Sequence, residues 1–339
     1  MRILLVKTSS LGDVVHNLPV ASDIRVRHPD AQLDWAVEES FADVPRLHPA
    51  VTEVIPLALR RWRREILFGR TWAALGELRA RLRLGAYDEV IDTQGLLKSA
   101  LVTRLAPGRR SGLDLRSARE PLRPFYSRTY SIPWGQHAVE RNRQLAAKAL
   151  GYTLAPRVEY GICAPQQPTA PADWATALAP GKYAVLLHAT SARAKLWPEH
   201  QWVKLGDHLH RHGLRCVLPW GTPAEQARSE RIARLLRDAV VPPRLAIRDA
   251  AWLLGHASIV FGVDTGLSHL AAALGTPTVG IYCSTDPAAT GLYGAPRARN
   301  VGTIGHAPAV AEVMAAEREV LEPAAGGQAG AAAPAPVRT

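Results

Sequence analysis

The chain has 339 residues, 47% of them hydrophobic, and a formal charge of +11 with an isoelectric point near 10.0. This length predicts two domains with packed cores. Three scattered cysteines, Cys163, Cys216 and Cys283, form neither a disulfide framework nor a metal-binding spacing. No apolar run approaches a membrane span, and the opening reaches Lys7 too soon for a signal peptide, so a cytoplasmic protein is expected.

In chain order, residues 3–6 read as a strand and 14–26 as a helix in which Pro19 is a local irregularity. Strands follow at 33–37 and 54–55, a helix at 72–84, and a strand at 87–91 that ends at Asp92-Thr93-Gln94-Gly95. A helix over 96–105 comes next. Residues 163–181 are rich in Pro, Ala and Gln and read as a linker. A second alternating set then starts with a strand at 183–187, ending at His188-Ala189-Thr190-Ser191. Pro198 suits a helix start, and that helix runs to His212 before Gly213. A strand at 214–218, a helix at 224–237, a short helix around 252–254 and strands at 259–263 and 278–282 complete the pattern. Residues 323–339 form an Ala/Gly/Pro-rich tail, expected to be disordered. Alternation of this kind implies α/β architecture, with parallel sheets flanked by helices. The expected division is residues 1–162, 163–322 and the tail 323–339.

The positive charge is uneven. Residues 1–160 carry 25 Lys+Arg against 17 Asp+Glu, a net of +8, and the remainder a net of +3. The N-terminal half is therefore expected to meet an anionic partner. Its densest patch is Arg60-Arg61-Trp62-Arg63-Arg64, and guanidinium groups pair bidentately with phosphate and carboxylate.

The most informative stretch is residues 258–270, where an apolar run stops at Asp264-Thr265-Gly266 and a helical pattern follows at once. Open α/β sheets bind ligands at such strand ends. Free N–H groups at the helix start favour a phosphate. Gly266 allows close backbone approach, and Asp264 can accept hydroxyl hydrogen bonds. The plainer alternative is an Asp/Thr cap on a core helix. The first loop, Lys7-Thr8-Ser9-Ser10-Leu11-Gly12-Asp13, contains neither a G-x-G-x-x-G fingerprint nor a P-loop. Asp13 reads as a general base at a cleft or as a helix-start cap. Lys195, beside Thr190 and Ser191, suits a diphosphate, or else is a solvated surface charge. Glu225, in the first turn after Gly221-Thr222-Pro223, could hold a ribose diol or favour its own helix start. His208 and His212 share an i, i+4 face but lack the H-E-x-x-H glutamate, so a surface helix end is favoured over a zinc site. No D-x-D pair marks a metal-held diphosphate.

A set of motifs resembles the bacterial lipopolysaccharide heptosyltransferases. They include Val6-Lys7-Thr8-Ser9-Ser10-Leu11-Gly12-Asp13-Val14, Arg60-Arg61-Trp62-Arg63, Asp92-Thr93-Gln94-Gly95-Leu96-Leu97-Lys98-Ser99, Ala118-Arg119-Glu120-Pro121, Lys195-Leu196-Trp197-Pro198 and Val263-Asp264-Thr265-Gly266-Leu267-Ser268-His269-Leu270. The resemblance spans about residues 1–295, and its details are most similar to the type I branch. It implies a GT-B fold: two facing Rossmann-like domains with a cleft between them. It implies a metal-independent, inverting transfer of L-glycero-D-manno-heptose from ADP-heptose to Kdo of Kdo-lipid A, with no cofactor. Asp13 matches the proposed base, and Lys195 a residue that neutralises the leaving diphosphate. Thr190, Ser191, Thr265, Gly266, Leu267 and His269 match donor contacts, Asp264 a heptose contact and Glu225 a ribose contact. Ser10, Gly12, Arg60, Arg61, Arg63, Arg64, Gln94 and Arg119 fall to the acceptor. The resemblance further implies peripheral contact with the cytoplasmic face of the inner membrane. The alternatives are the type II branch, which extends the first heptose, and a basic nucleic-acid-binding protein. The second lacks a helix-turn-helix, zinc-finger or aromatic RNP pattern, so no nucleic-acid partner is expected. A nucleotide-sugar epimerase would need the absent G-x-G-x-x-G loop.

Overall fold

The computed structural model describes residues 1–169, 173–176 and 178–322. The first sheet contains β1 (Arg2–Val6), β2 (Gln32–Glu38), β3 (Val51–Leu57), β4 (Glu89–Asp92), β5 (Arg109–Leu113) and β6 (Arg128–Tyr130), all parallel, in the order β3-β2-β1-β4-β5-β6. The second contains β7 (Tyr183–Leu187), β8 (Arg215–Val217), β9 (Ile259–Val263), β10 (Thr278–Ile281) and β11 (Ala298–Val301), also parallel, in the order β11-β10-β9-β7-β8. An isolated parallel bridge from Val240 to Val217 extends this sheet beyond β8. With it, both sheets follow the same doubly-wound plan, whose strand order reverses beside the first strand of each.

Apolar runs form the central strands β1, β7 and β9 because both faces of these are covered, whereas the edge strands β6 and β11 are partly exposed and polar. Ile3 and Leu5 of β1 join one hydrophobic cluster, while Leu4 and Val6 join another on the opposite face. Alternate residues point to opposite sides of a strand, so one run fills two cores. The first cluster also takes in Val185 of β7 and Val260 of β9. It therefore runs continuously from one half of the molecule into the other.

Several expected elements differ. The helix expected over 14–26 is two helices, Leu11–Val15 and Leu18–Arg27. Pro19 is the second residue of the second helix, in the first turn where its missing N–H costs nothing. The break leaves Gly12 and Asp13 on a short helix of their own. The basic patch, given no element from the sequence, lies on a helix, Leu59–Arg64. The short helix expected around 252–254 covers Ile247–Gly255. Strands β5, β6 and β11 and the helices Ala138–Leu150 and Val310–Leu321 were not expected. Within the linker stretch, the helix Asp173–Thr176 carries Trp174 edge-on against Trp252, with centroids 5.8 Å apart, so part of it packs into the fold. The tail expectation for 323–339 lies outside the described residues.

Candidate active site

The carboxyl ends of β1 and β4 and those of β7 and β9 are the two places where strand order reverses. The loops that leave β1, β7 and β9 meet around one cleft of about 370 Å³, lined by Asp13, His16, Thr190, Ser191, Lys195, Asp264, Thr265, Gly266, His269 and Thr285. Buried strand β9 delivers Asp264 there at 9% exposure.

Asp264 is the electrostatic centre of this cleft. Lys195 Nζ lies 2.7 Å from its Oδ2, and the Thr285 hydroxyl donates to the same oxygen at 2.8 Å. His269 Nε2 stands 3.7 Å from Oδ1. The Thr190 hydroxyl donates to the Asp264 carbonyl at 2.9 Å, tying the two loops together. Burial opposes ionisation of this carboxyl, but the contacts with His269, Lys195 and Thr285 outweigh it and hold the pKa far below the usual carboxylate range. Asp264 is thus a fixed anion with a cation already beside it. Thr265 occupies the N-cap position of the helix Gly266–Ala273, yet no side chain caps that helix. The Ser268 N–H turns back to the Thr265 carbonyl at 3.1 Å, and no side chain caps the N–H groups before it, beside the cleft that Thr265 and Gly266 line, a natural place for a phosphate.

The opposite wall is the first loop. The Ser10 backbone N–H and hydroxyl donate to Asp13 Oδ2 at 2.8 and 2.9 Å, a capping box on the helix Leu11–Val15. Besides capping this helix, Asp13 lies where two cavities meet. Ser10, Asp13 and Thr290 line both the cleft just described and a second cavity of about 350 Å³. Two glycines let the halves approach here. A Cβ on Gly266 would fall 2.6 Å from Leu11, and one on Gly12 would fall 3.1 Å from the His269 ring. What comes close to Gly266 is thus the facing half of the protein itself. His16 Nε2 and His269 Nδ1, 3.1 Å apart, bridge the same gap.

The second cavity belongs mostly to the N-terminal half. Lys7, Gln94, Arg119, Trp134, Arg141 and Asn142 line it. Lys7 Nζ donates to the Thr93 carbonyl at 2.8 Å and to Asn142 Oδ1 at 3.3 Å, and burial pulls its pKa down. Gln94 Oε1 accepts from the Thr8 and Ser9 N–H groups at 3.1 and 3.0 Å, which fixes the first loop to the end of β4. The Arg141 guanidinium stacks over Trp134 at 4.0 Å. This is a cationic pocket, and its wall carries one buried acceptor without a hydrogen-bond partner among the described residues, Gln136 Oε1.

The basic helix stands outside both cavities. Arg60, Arg63 and Arg64 line a separate groove that touches the second cavity at Ser9, while Arg61 turns away to pair with Glu39 at 3.2 Å. Glu225 also stays apart from the cleft. Its Oε2 accepts the Gly221 and Thr222 N–H groups at 2.8 and 2.9 Å, so it caps its own helix, Pro223–Ala233. Leu267 sits half-buried one residue into the helix that starts at Gly266. His208 Nε2 pairs with Glu317 at 2.8 Å on a helix face. Among the described residues no group of three or more His, Cys, Asp or Glu side chains is placed to hold a metal ion, and no helix is long and apolar enough to cross a membrane.

Sequence reasoning passed over Lys7, His16, Arg141 and Thr285 as site residues. Lys7 lies in the first-loop motif and Thr285 two residues beyond Cys283, at the end of the strand after Asp264. His16 and Arg141 gave no local signal, because only the tertiary fold brings them to the cavities.

The glycosyltransferase family 9 (heptosyltransferase) model matches residues 75–318. The chain is 48% identical over 304 residues to lipopolysaccharide heptosyltransferase 1 of Pseudomonas aeruginosa, covering 87% of this chain and 82% of that protein. It is 46% identical over 298 residues to lipopolysaccharide heptosyltransferase 1 of Escherichia coli K12, covering 87% of this chain and 91% of that one. The structure superposes on the E. coli heptosyltransferase WaaC with ADP at a TM-score of 0.86, with 40% identity, over 94% of this chain and all of that one. A superposition on E. coli ADP-heptose lps heptosyltransferase II, at 21% identity and a TM-score of 0.73, reports a shared fold.

Proposed function

Since the chain belongs to glycosyltransferase family 9, the heptosyltransferases, and has the GT-B architecture, we propose that it transfers heptose from ADP-heptose to the Kdo sugar of Kdo-lipid A, the first heptose of the lipopolysaccharide inner core. The observation that carries this reading is the shared position of Asp13. One of its cavities is lined by the diphosphate-suited groups of the C-terminal half, and the other by the cations of the N-terminal half.

In this reading residues 163–322 hold the donor. Lys195, Thr190, Ser191, His269 and the uncapped helix start at Thr265, Gly266 and Leu267 receive the diphosphate. Asp264 orients the heptose hydroxyls, and Glu225 takes the ribose diol on rotating from its cap. Residues 1–162 hold the acceptor. Arg119, Gln94, Ser10 and Gly12 line its sugar pocket, and Arg60, Arg63 and Arg64 meet its phosphates and carboxylates. Asp13 takes the proton of the acceptor hydroxyl as that oxygen attacks the anomeric carbon from the face opposite the diphosphate. The carbon–diphosphate bond breaks, ADP leaves with the electron pair, and the anomeric centre inverts through an oxocarbenium-like state. Lys195 and the helix dipole offset the charge that develops on ADP, so no metal is required. Catalysis takes place at the cytoplasmic face of the inner membrane, where the acceptor resides.

The test is ADP release from ADP-heptose with Kdo-lipid A present or absent, before and after EDTA. Release that depends on the acceptor and survives EDTA supports the reading. Release restored only by magnesium would remove its metal-free part.

A further inference from the structure

Ile66, Leu67 and Phe68, in the segment that joins the basic helix Leu59–Arg64 to the helix Gly69–Leu84, are apolar and exposed, as is Trp72 in the first turn of that second helix. Leu67 is 94% exposed, Trp72 61%, Phe68 54% and Ile66 53%, and Leu101 of the neighbouring helix Leu97–Leu105 is 52% exposed. Single exposed apolar residues are ordinary, but a cluster of five at one edge marks an interaction surface. The turn that presents them is built, since the Thr71 hydroxyl donates to the Glu65 carbonyl at 2.7 Å and Trp72 Nε1 to the Ile66 carbonyl at 2.9 Å. Behind it lies the open groove of about 1140 Å³, floored by Leu59, Trp62, Leu75 and Leu105. Arg63, Arg64 and Arg79 stand on its rim, and among the described residues none of them makes an ion pair with a carboxylate.

We propose that this edge is the membrane-docking surface, with Leu67, Phe68 and Trp72 entering the interface of an anionic bilayer while the rim arginines meet its phosphates. Apolar tips beside unpaired cations match the two layers of such a surface, acyl boundary and anionic headgroup. The groove touches the acceptor cavity at Ser9, so a docked molecule would present that cavity to a lipid-borne sugar. The inference rests on the acceptor being a membrane glycolipid, as proposed above, yet its binding test needs no acceptor.

Co-sedimentation of the full chain with acceptor-free phosphatidylglycerol/phosphatidylethanolamine vesicles, and with phosphatidylcholine vesicles, tests it against the double variant Leu67→Ser/Phe68→Ser. The wild type should bind the anionic vesicles, and the variant at least tenfold more weakly. Replacing Arg79 with Ala should cost about fivefold on anionic vesicles only. The double variant should retain wild-type turnover of de-acylated, water-soluble acceptor and lose turnover of the intact glycolipid in vesicles. Equal vesicle binding by wild type and double variant would overturn the proposal. So would a wild-type dimer in lipid-free solution that the double variant dissociates, since a second copy would then own the surface. If the wild type binds vesicles through this edge but turns over neither acceptor, the docking surface stands and the transferase reading falls.

Discussion

Lys195 Nζ lies 2.7 Å from Asp264 Oδ2, joining the loop after β7 to the end of β9. The ammonium is therefore held by a carboxylate that stays ionised and is not free to wander in solvent. A diphosphate bound there, as proposed, would meet a positioned cation, which reduces the ordering cost of binding.

Replacing Lys195 with Ala should weaken ADP affinity by about 10–100-fold, the scale of a charge-assisted hydrogen bond. Titration calorimetry reads this directly. It also strips Asp264 of its nearest cation, so thermal stability should fall. An unchanged ADP affinity would return Lys195 to a purely structural ion pair.

Asp264 makes a pH-dependent contribution of predictable sign. Its folded pKa is depressed, so its stabilising effect is complete above the usual carboxylate pKa and declines as pH falls below about 4. Asp264→Asn should lose that part of the acid dependence in melts followed by circular dichroism. A variant with the wild-type acid profile would refute the assignment.

Four buried histidines act over a higher range. Burial lowers the pKa of His48, His137 and His188 to about 4, and burial with neighbouring His269 and His137 lowers that of His16 well below its usual value. The unfolded chain gains these protons near pH 6.5 and the folded chain does not. Their stabilising contribution is present above pH 6.5 and lost as pH falls from 6.5 towards 4. For His188, fully buried against the Ser229 hydroxyl at 2.7 Å, the loss should approach about 3 kcal/mol at the acid end. His188→Gln should flatten the stability profile across that range.

Asp13→Asn keeps an acceptor for the Ser10 N–H but removes the base. We expect kcat to fall by roughly 10²–10⁴, with ADP affinity and Tm little changed. Near-native kcat would leave Asp13 as a cap alone.

Gly266→Ala tests the approach of the two halves. The added methyl would meet Leu11 at 2.6 Å, an overpacking strain of about 1–3 kcal/mol. Tm and kcat should fall together, and Leu11→Gly, which removes both the Cβ and the Cγ that the methyl would meet, should restore part of both.

Much of this site was legible in the sequence because strand-to-helix turns carry local signals. Asp264-Thr265-Gly266 and Lys7 to Asp13 stand out where an apolar run stops at polar residues and a helix begins. The basic patch was legible as charge but not as structure, since Leu59–Arg64 is too short to show a helical period. The helix Ala138–Leu150 was hidden for another reason. Its buried face includes Asn142 and Arg143, and Arg143 is satisfied by Asp23 at 2.8 Å and Glu140 at 3.1 Å, partners no local window contains together. Across the cleft, the His16–His269 contact joins residues 253 positions apart and leaves no trace in spacing.

Replacing Arg60 and Arg63 with Ala should raise the acceptor KM and leave ADP affinity constant. The wild-type acceptor KM should itself rise with ionic strength, since partly exposed charges are screened. Weakened ADP binding with an unchanged acceptor KM would reverse the assignment of the two halves.

The most direct measurement supplies ADP-heptose with Kdo-lipid A in one reaction and heptosyl-Kdo-lipid A in another, and follows donor consumption and product mass. The account predicts consumption with Kdo-lipid A and a product heavier by one heptose. Consumption with heptosyl-Kdo-lipid A alone, or with neither, would contradict it.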